Sequence, residues 1–177
     1  MNSGHHLILG ELVDFITGET IEDNHDERYR QKLARLLVEK KGYLKDDIKS
    51  GFELPVSAGA NMAIVKIDFL VILSDKICMI IKYSPGSLVT RHRPALAASR
   101  LVADYQVPIV VATNGEDADI LDGYTNEVIS SGLESIPDRG QLVRLVAGIP
   151  FRPVSSRQAE MESRIVYAFE IDGCCCS

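Results

Sequence analysis

Asp68 and Lys82 are the residues of this chain whose types and spacing best suit chemistry. Lys66 to Leu73 reads as one apolar strand, Ser74-Asp75 as a turn, and Lys76 to Lys82 as a second strand. A carboxylate and an amine on adjacent strands can serve two ends. With a further carboxylate beside it, Asp68 would belong to an oxygen-ligand set for a hard divalent cation, which favours near-octahedral oxygens including one or two carboxylates. Without one, it would pair with Lys82 or Lys66 as a buried ion pair. The residue two before Lys82, on the same strand face, is Ile80. An isoleucine supplies no ligand and sets an apolar wall beside any ion.

Two hairpin registers are open. A two-residue turn at Ser74-Asp75 puts Asp68 and Lys82 on opposite faces, because a one-residue slip inverts every side chain. A three-residue loop, Leu73 to Asp75, sets Asp68 across from Ile80 and Lys66 across from Lys82, all on one face. A metal site would need the second register.

A second group of residues is cationic. Arg91-His92-Arg93, with Lys82 before it and Arg100 after, is the most basic stretch of the chain. With Lys66 it could grip phosphates, since cations near a helix start add to the field of the backbone N–H groups. The competing reading is a solvated loop. His92 has no carboxylate placed by sequence to orient it as a base.

The elements that must position these groups are readable in outline. Residues 7 to 22, with a turn at Thr17-Gly18-Glu19, predict an N-terminal arm (1–22). Asn24 followed by Glu27 predicts a helix start, Tyr29, Leu33, Leu36 and Leu37 recur at helical spacing, and Gly42 supplies the stop. Phe52 to Ser57 alternates as a half-buried strand whose Pro55 predicts a sheet edge. The unbroken apolar character of the next two strands predicts a sheet covered on both faces. Pro94 predicts a helix start running to Tyr105, and Pro108 to Thr113 a buried strand. Ile120-Leu121 and Val128-Ile129 predict a small hairpin. Helices are expected over Pro137 to Ala147 and Ser156 to Phe169, the last with an apolar stripe of Met161, Ile165 and Phe169. The order α-β-β-β-α-β predicts an α/β fold with a central mixed sheet flanked by helices over 23–150, and an extra C-terminal helix with its cysteine tail (151–177) packing on it.

These residues resemble a known family. Thr17-Gly18-Glu19, Asp26 to Gln31, the Gly42-Tyr43 helix end, Ile67-Asp68, the strand ending at Lys82 and Thr113-Asn114-Gly115 are similar to the N-terminal domain of type I restriction enzyme R subunits. That family lies in the PD-(D/E)XK restriction-endonuclease-like superfamily, and the resemblance spans roughly residues 15 to 125, an ordinary length for one domain. It implies a restriction-endonuclease-like core in which the strand Asp and a following acid bind Mg²⁺ or Mn²⁺. A Lys helps activate water for phosphodiester hydrolysis, and a helix Glu often completes the site. By position these are Asp68, Lys82 and Glu27. The acid falls on Ile80, and Ala97-Ala98-Ser99 lacks the Gln that accompanies Tyr105 in relatives. Glu53 on the neighbouring strand, or Glu27, could bring a replacement carboxylate to the same point in space.

Composition bounds the rest. The 177 residues suffice for one domain with a core. A formal net charge of −6 argues against strong non-specific nucleic-acid binding, though not against a local basic patch. No apolar run is long enough to cross a bilayer, and no secretory signal is recognised, so a cytoplasmic location is expected. Cys78 reads as a small buried hydrophobe. The Cys174, Cys175, Cys176 tail and the His5-His6 pair lack the spacing of a metal site. Three functions stay open: a stand-alone, catalytically degenerate nuclease-like domain binding nucleic acid or a protein partner; a metal-dependent DNA endonuclease with a relocated acid; and an interaction module dimerising through the last helix.

Overall fold

A computed structural model describes residues 8–171. The His5-His6 pair and the Cys174–Cys176 tail lie outside the described residues. An N-terminal hairpin, β1 (Gly10–Val13) and β2 (Thr20–Asp23), forms the arm. Helix α1 (His25–Arg35) follows and continues through a turn of π-helix, Leu36–Lys40. Strands β3 (Ile48–Ala58), β4 (Asn61–Leu73) and β5 (Lys76–Tyr83) lead to α2 (Val89–Ser99) and β6 (Ile109–Thr113). After these come β7 (Ala118–Asp122), β8 (Val128–Ser131), α3 (Arg139–Val146) and α4 (Ser156–Glu170). The expected order, helix, three strands, helix, strand, is present.

One six-stranded sheet runs β3-β4-β5-β6-β7-β8. Only β5 and β6 are parallel, and α2 is the crossover a parallel pair requires. Apolar layers cover both faces, as the continuous hydrophobic strands predicted. Leu33 of α1, Leu37 of the π-helical turn and Leu142 of α3 pack with Phe69, Val71 and Ile81 on one side. Ala95 to Ala98 of α2 and Val166 of α4 pack with Leu70, Ile80 and Val110 on the other. Pro55 lies in β3, an edge strand as expected. The Ser57 N–H on that edge donates to Ser163 Oγ of α4 (2.7 Å).

Two local features set the geometry of the site. The β4–β5 turn is two residues long, with both Ser74 (φ 50°) and Asp75 (φ 62°) left-handed, as a type I′ hairpin turn demands. The register then shifts between Val71 and Ile72: Ile72 faces Ile77, but Val71 faces Met79. Cys78 is the extra residue of a bulge, and it joins the same apolar layer as its neighbour Met79. The bulge places Asp68 and Lys82 on one side despite the short turn. Continuing the Phe69–Ile81 register by one residue puts Lys82, not Ile80, across from Asp68. Neither register drawn from the sequence anticipated that pairing.

The second feature is a change of face in β3 and β4. Val65 and Ile67 belong to the α2–α4 layer, whereas Phe69 and Val71, of the same parity, belong to the α1 layer. The switch falls at Asp68 and at its opposite number Gly51, the one pair missing from an otherwise continuous β3–β4 ladder. Gly51 has φ 62°, a conformation that costs a glycine little and other residues more. The strands open there, and charged side chains fill the notch.

One expectation about helices is corrected. Helix α2 starts at Val89 and ends at Ser99, so Pro94 sits inside it and Tyr105 lies beyond it. On α4, Met161 and Phe169 are exposed, while Glu162, Ser163 and Val166 are buried. The helix is turned by its polar anchor: Glu162 accepts from Arg93 Nη2 and Arg100 Nη1, both at 2.6 Å.

Candidate functional site

The first turns of α1 supply one wall of the notch. Asn24 caps the helix, its side chain accepting from the Glu27 N–H at 2.8 Å. Glu27, Arg30 and Gln31 stand three and four residues apart and share a face. The Arg30 Nε–H donates to Asp68 Oδ1 at 2.5 Å, and its Nη1 reaches Glu27 Oε2 at 3.3 Å. Gln31 Nε2 donates to Glu27 Oε1 and to Asp14 Oδ2 of the arm, each at 3.0 Å. The second Asp68 oxygen accepts the Tyr83 backbone N–H at 2.7 Å. Both carboxylate oxygens therefore have partners within the protein, and Asp68 is only 4% exposed. Its partner is Arg30, not either of the lysines.

Tyr83 closes the α1 side. Its ring stacks on Tyr29 with centroids 5.8 Å apart and lies 5.3 Å from the Arg30 guanidinium. Its hydroxyl donates to Asp26 Oδ1 (2.9 Å). Burial, then that hydrogen bond, raises the phenol above its ordinary pKa. Burial pulls Arg30 the other way, but Asp68 and Glu27 outweigh it and hold the guanidinium above its usual value. Gly115 belongs to the same cluster: a Cβ there would run into the Tyr29 ring.

Lys82 turns away from Asp68 and towards α4. Its Nζ donates to the Lys66 carbonyl and pairs with Glu170 Oε1 at the end of α4, both at 3.2 Å. Ile80 is fully buried in the α2–α4 layer. The Asp68 notch thus divides two clefts that share Arg30, Lys66 and Asp68. One, of about 660 Å³, lies between the arm and β3–β4 and is lined by Asp14, Glu19, Glu22, Glu27 and Glu53 besides the shared residues. The other, of about 480 Å³, adds Lys82, Arg91, Asp26 and Glu170, with Phe169 and Ile64 among its apolar lining. Among the described residues, the first has six carboxylates against two cations. The second has four cations against three carboxylates.

The basic run is divided as well. Arg91 lines the second cleft; among the described residues its buried Nε has no hydrogen-bond partner and its Nη2 donates to the Pro85 carbonyl at 3.4 Å. Arg93 and Arg100 hold Glu162, and Arg100 also bonds Gln106 and Asn126. His92 Nε2 lies 2.7 Å from Asp119 Oδ2, so a carboxylate does orient it, but in a β7 contact away from the notch. Sequence reasoning missed Arg30, Tyr83 and Glu170 as neighbours of Asp68 and Lys82. Arg30 had a signal, its helical spacing from Glu27. Glu170 had none, since it comes from a separate helix 102 residues after Asp68 in the numbering.

Among the described residues no group of three or more His, Cys, Asp or Glu side chains is arranged to hold a metal. Asp68 is engaged by a guanidinium and a backbone N–H, Glu27 by Arg30 and Gln31, and the position on β5 that would add an acid carries Ile80. Glu53 lines the acidic cleft, opposite Lys66 in the β3–β4 register.

The family described as type I restriction enzyme R protein N terminus (HSDR_N) matches residues 25–137, well over half of the chain. The chain belongs to this family. Comparison with curated proteins and with solved structures returned no match. The span matched to the type I R N-terminus runs from α1 past the β7–β8 hairpin, and so includes Glu27, Arg30, Asp68, Ile80 and Lys82. It agrees from residue 25 to about 125 with the resemblance read from sequence. Helix α4, which brings Glu170 and Phe169 to the second cleft, lies outside it. Among the described residues no helix is long and apolar enough to cross a membrane.

Proposed function

We propose that this type I R N-terminal domain is a nuclease-like module without hydrolytic activity, and that it holds nucleic acid by its phosphates in the cleft of Lys82 and Arg91. One observation carries the first half: Arg30 Nε, 2.5 Å from Asp68, takes the carboxylate that a metal would need, while Ile80 offers no second one. The charge contrast between the clefts supports the second half. Phosphate neutralisation needs clustered cations, and of the two clefts the Lys82 one has more cations than carboxylates among the described residues.

A metal-dependent endonuclease is the second reading, favoured by Glu27, Glu53 and Asp68 lining one cleft together with Lys66. It requires Arg30 to leave Asp68. Incubation with plasmid and Mg²⁺ or Mn²⁺ separates the two. No nicking is expected; nicking that disappears in Asp68→Ala would establish the endonuclease instead. With a labelled oligonucleotide, binding should weaken as salt rises, and Arg91→Ala should reduce the log–log salt slope by about one. No binding at low salt, with a dimer by light scattering, would favour docking through the exposed Met161 and Phe169.

A further inference from the structure

We infer that the Lys82 cleft takes a single, unstacked strand rather than a duplex, with Phe169 as the surface for a base and Glu170 as the anion that the phosphate displaces. This rests on the phosphate-holding role proposed above and specifies its ligand. Depth is the first ground. The Lys82 side chain is 8% exposed, at the floor of a cleft of about 480 Å³, a volume typical of a small-molecule site. A cleft of that volume can admit one nucleotide of a single strand but not a duplex. The rim is the second ground. Phe169 is 43% exposed and Ile64 64% exposed at the same cleft. Cations along a groove with an aromatic face beside them are how proteins hold single strands without reading sequence, because every base has a flat face to stack.

Glu170 supplies the third ground. Its carboxylate sits 3.2 Å from Lys82 Nζ, an anion already seated on the amine that would hold a phosphate oxygen. Arg91 lines the same cleft with a buried Nε that no acceptor among the described residues satisfies. A phosphate entering there would gain Arg91 and replace Glu170 on Lys82, and the last turn of α4 would shift with Glu170. Phe169, one residue before, would move with it against the incoming base.

The test uses the full chain and labelled oligonucleotides at low salt: a twelve-nucleotide oligo-dT, the same length of oligo-rU, and a twelve-base-pair duplex, read by fluorescence anisotropy. The single strands should bind at least about tenfold more tightly than the duplex. Phe169→Ala should weaken single-strand binding about tenfold and leave the duplex nearly unchanged, with Phe169→Tyr restoring it. Glu170→Gln should tighten single-strand binding several-fold, and Lys82→Met should abolish that gain. Equal affinity for strand and duplex, insensitive to Phe169→Ala, would overturn this inference while the phosphate grip survives. Failure of every variant to bind any of the three probes would overturn both. Matching thermal melts across the variants exclude loss of fold as the cause.

Discussion

Arg30 decides what Asp68 can be. A carboxylate this deeply buried needs a partner, and a guanidinium at 2.5 Å with a backbone N–H at 2.7 Å meets that need without an ion. Arg30→Ala would strand the charge. Removing one member of a fully buried pair costs about 3–5 kcal/mol, and Arg30 is a quarter exposed, so about 2 kcal/mol is expected in urea unfolding. Adding Asp68→Asn should recover part of the loss, and full additivity of the two would count against direct coupling. At this scale much was legible. Asp68, Lys82 and Glu27 stand out by residue type and by their places on strands and helix, and Ile80 by lacking a carboxylate. The partners were not legible, because an ion pair 38 residues apart leaves no periodic trace in a sequence.

Hairpin β4–β5 shows how far strand pattern can be read. Two apolar runs around Ser74-Asp75 gave the strands, and Pro55 gave the edge. Neither face nor register followed, because turn length alone does not reveal the bulge at Cys78. Its thiol is buried, and burial pushes its pKa up, which suits packing rather than reactivity. Ser74 and Asp75 both hold left-handed angles that asparagine and glycine adopt more readily. Replacing the pair by Asn-Gly should raise stability by about 1 kcal/mol, seen as a higher urea midpoint at unchanged slope. A loss instead would mean that Ser74 and Asp75 contribute something other than turn geometry. The inward face of helix α4 could not be read from its stripe for a related reason. Apolar spacing identified a helix, but the buried Glu162 chose the side facing inward, and a carboxylate between two arginines is invisible to periodicity.

At the scale of the molecule, Glu162 fastens α4 to α2 and thereby hangs Phe169 and Glu170 over the Lys82 cleft. Glu162→Ala would leave Arg93 and Arg100 facing each other without their shared anion. A cost of about 3 kcal/mol and faster amide exchange along α4 are expected, with the central strands β5 and β6 still protected. Exchange that rises equally in the sheet would show that α4 is part of the core rather than an attachment to it. The α/β class and the covered sheet were legible here, since they follow from element order and from unbroken apolar strands. The division of the notch into two clefts was not, because it arises where β3 and β4 change face at Gly51 and Asp68. That division has a kinetic consequence. If the Lys82 cleft takes a polyanion as proposed, the carboxylate-rich groove on the arm side would repel that ligand and favour its approach from the α4 side. Arrival rate would then respond to salt more steeply than a chain of net charge −6 leads one to expect, because a sum over all residues conceals which way the field points.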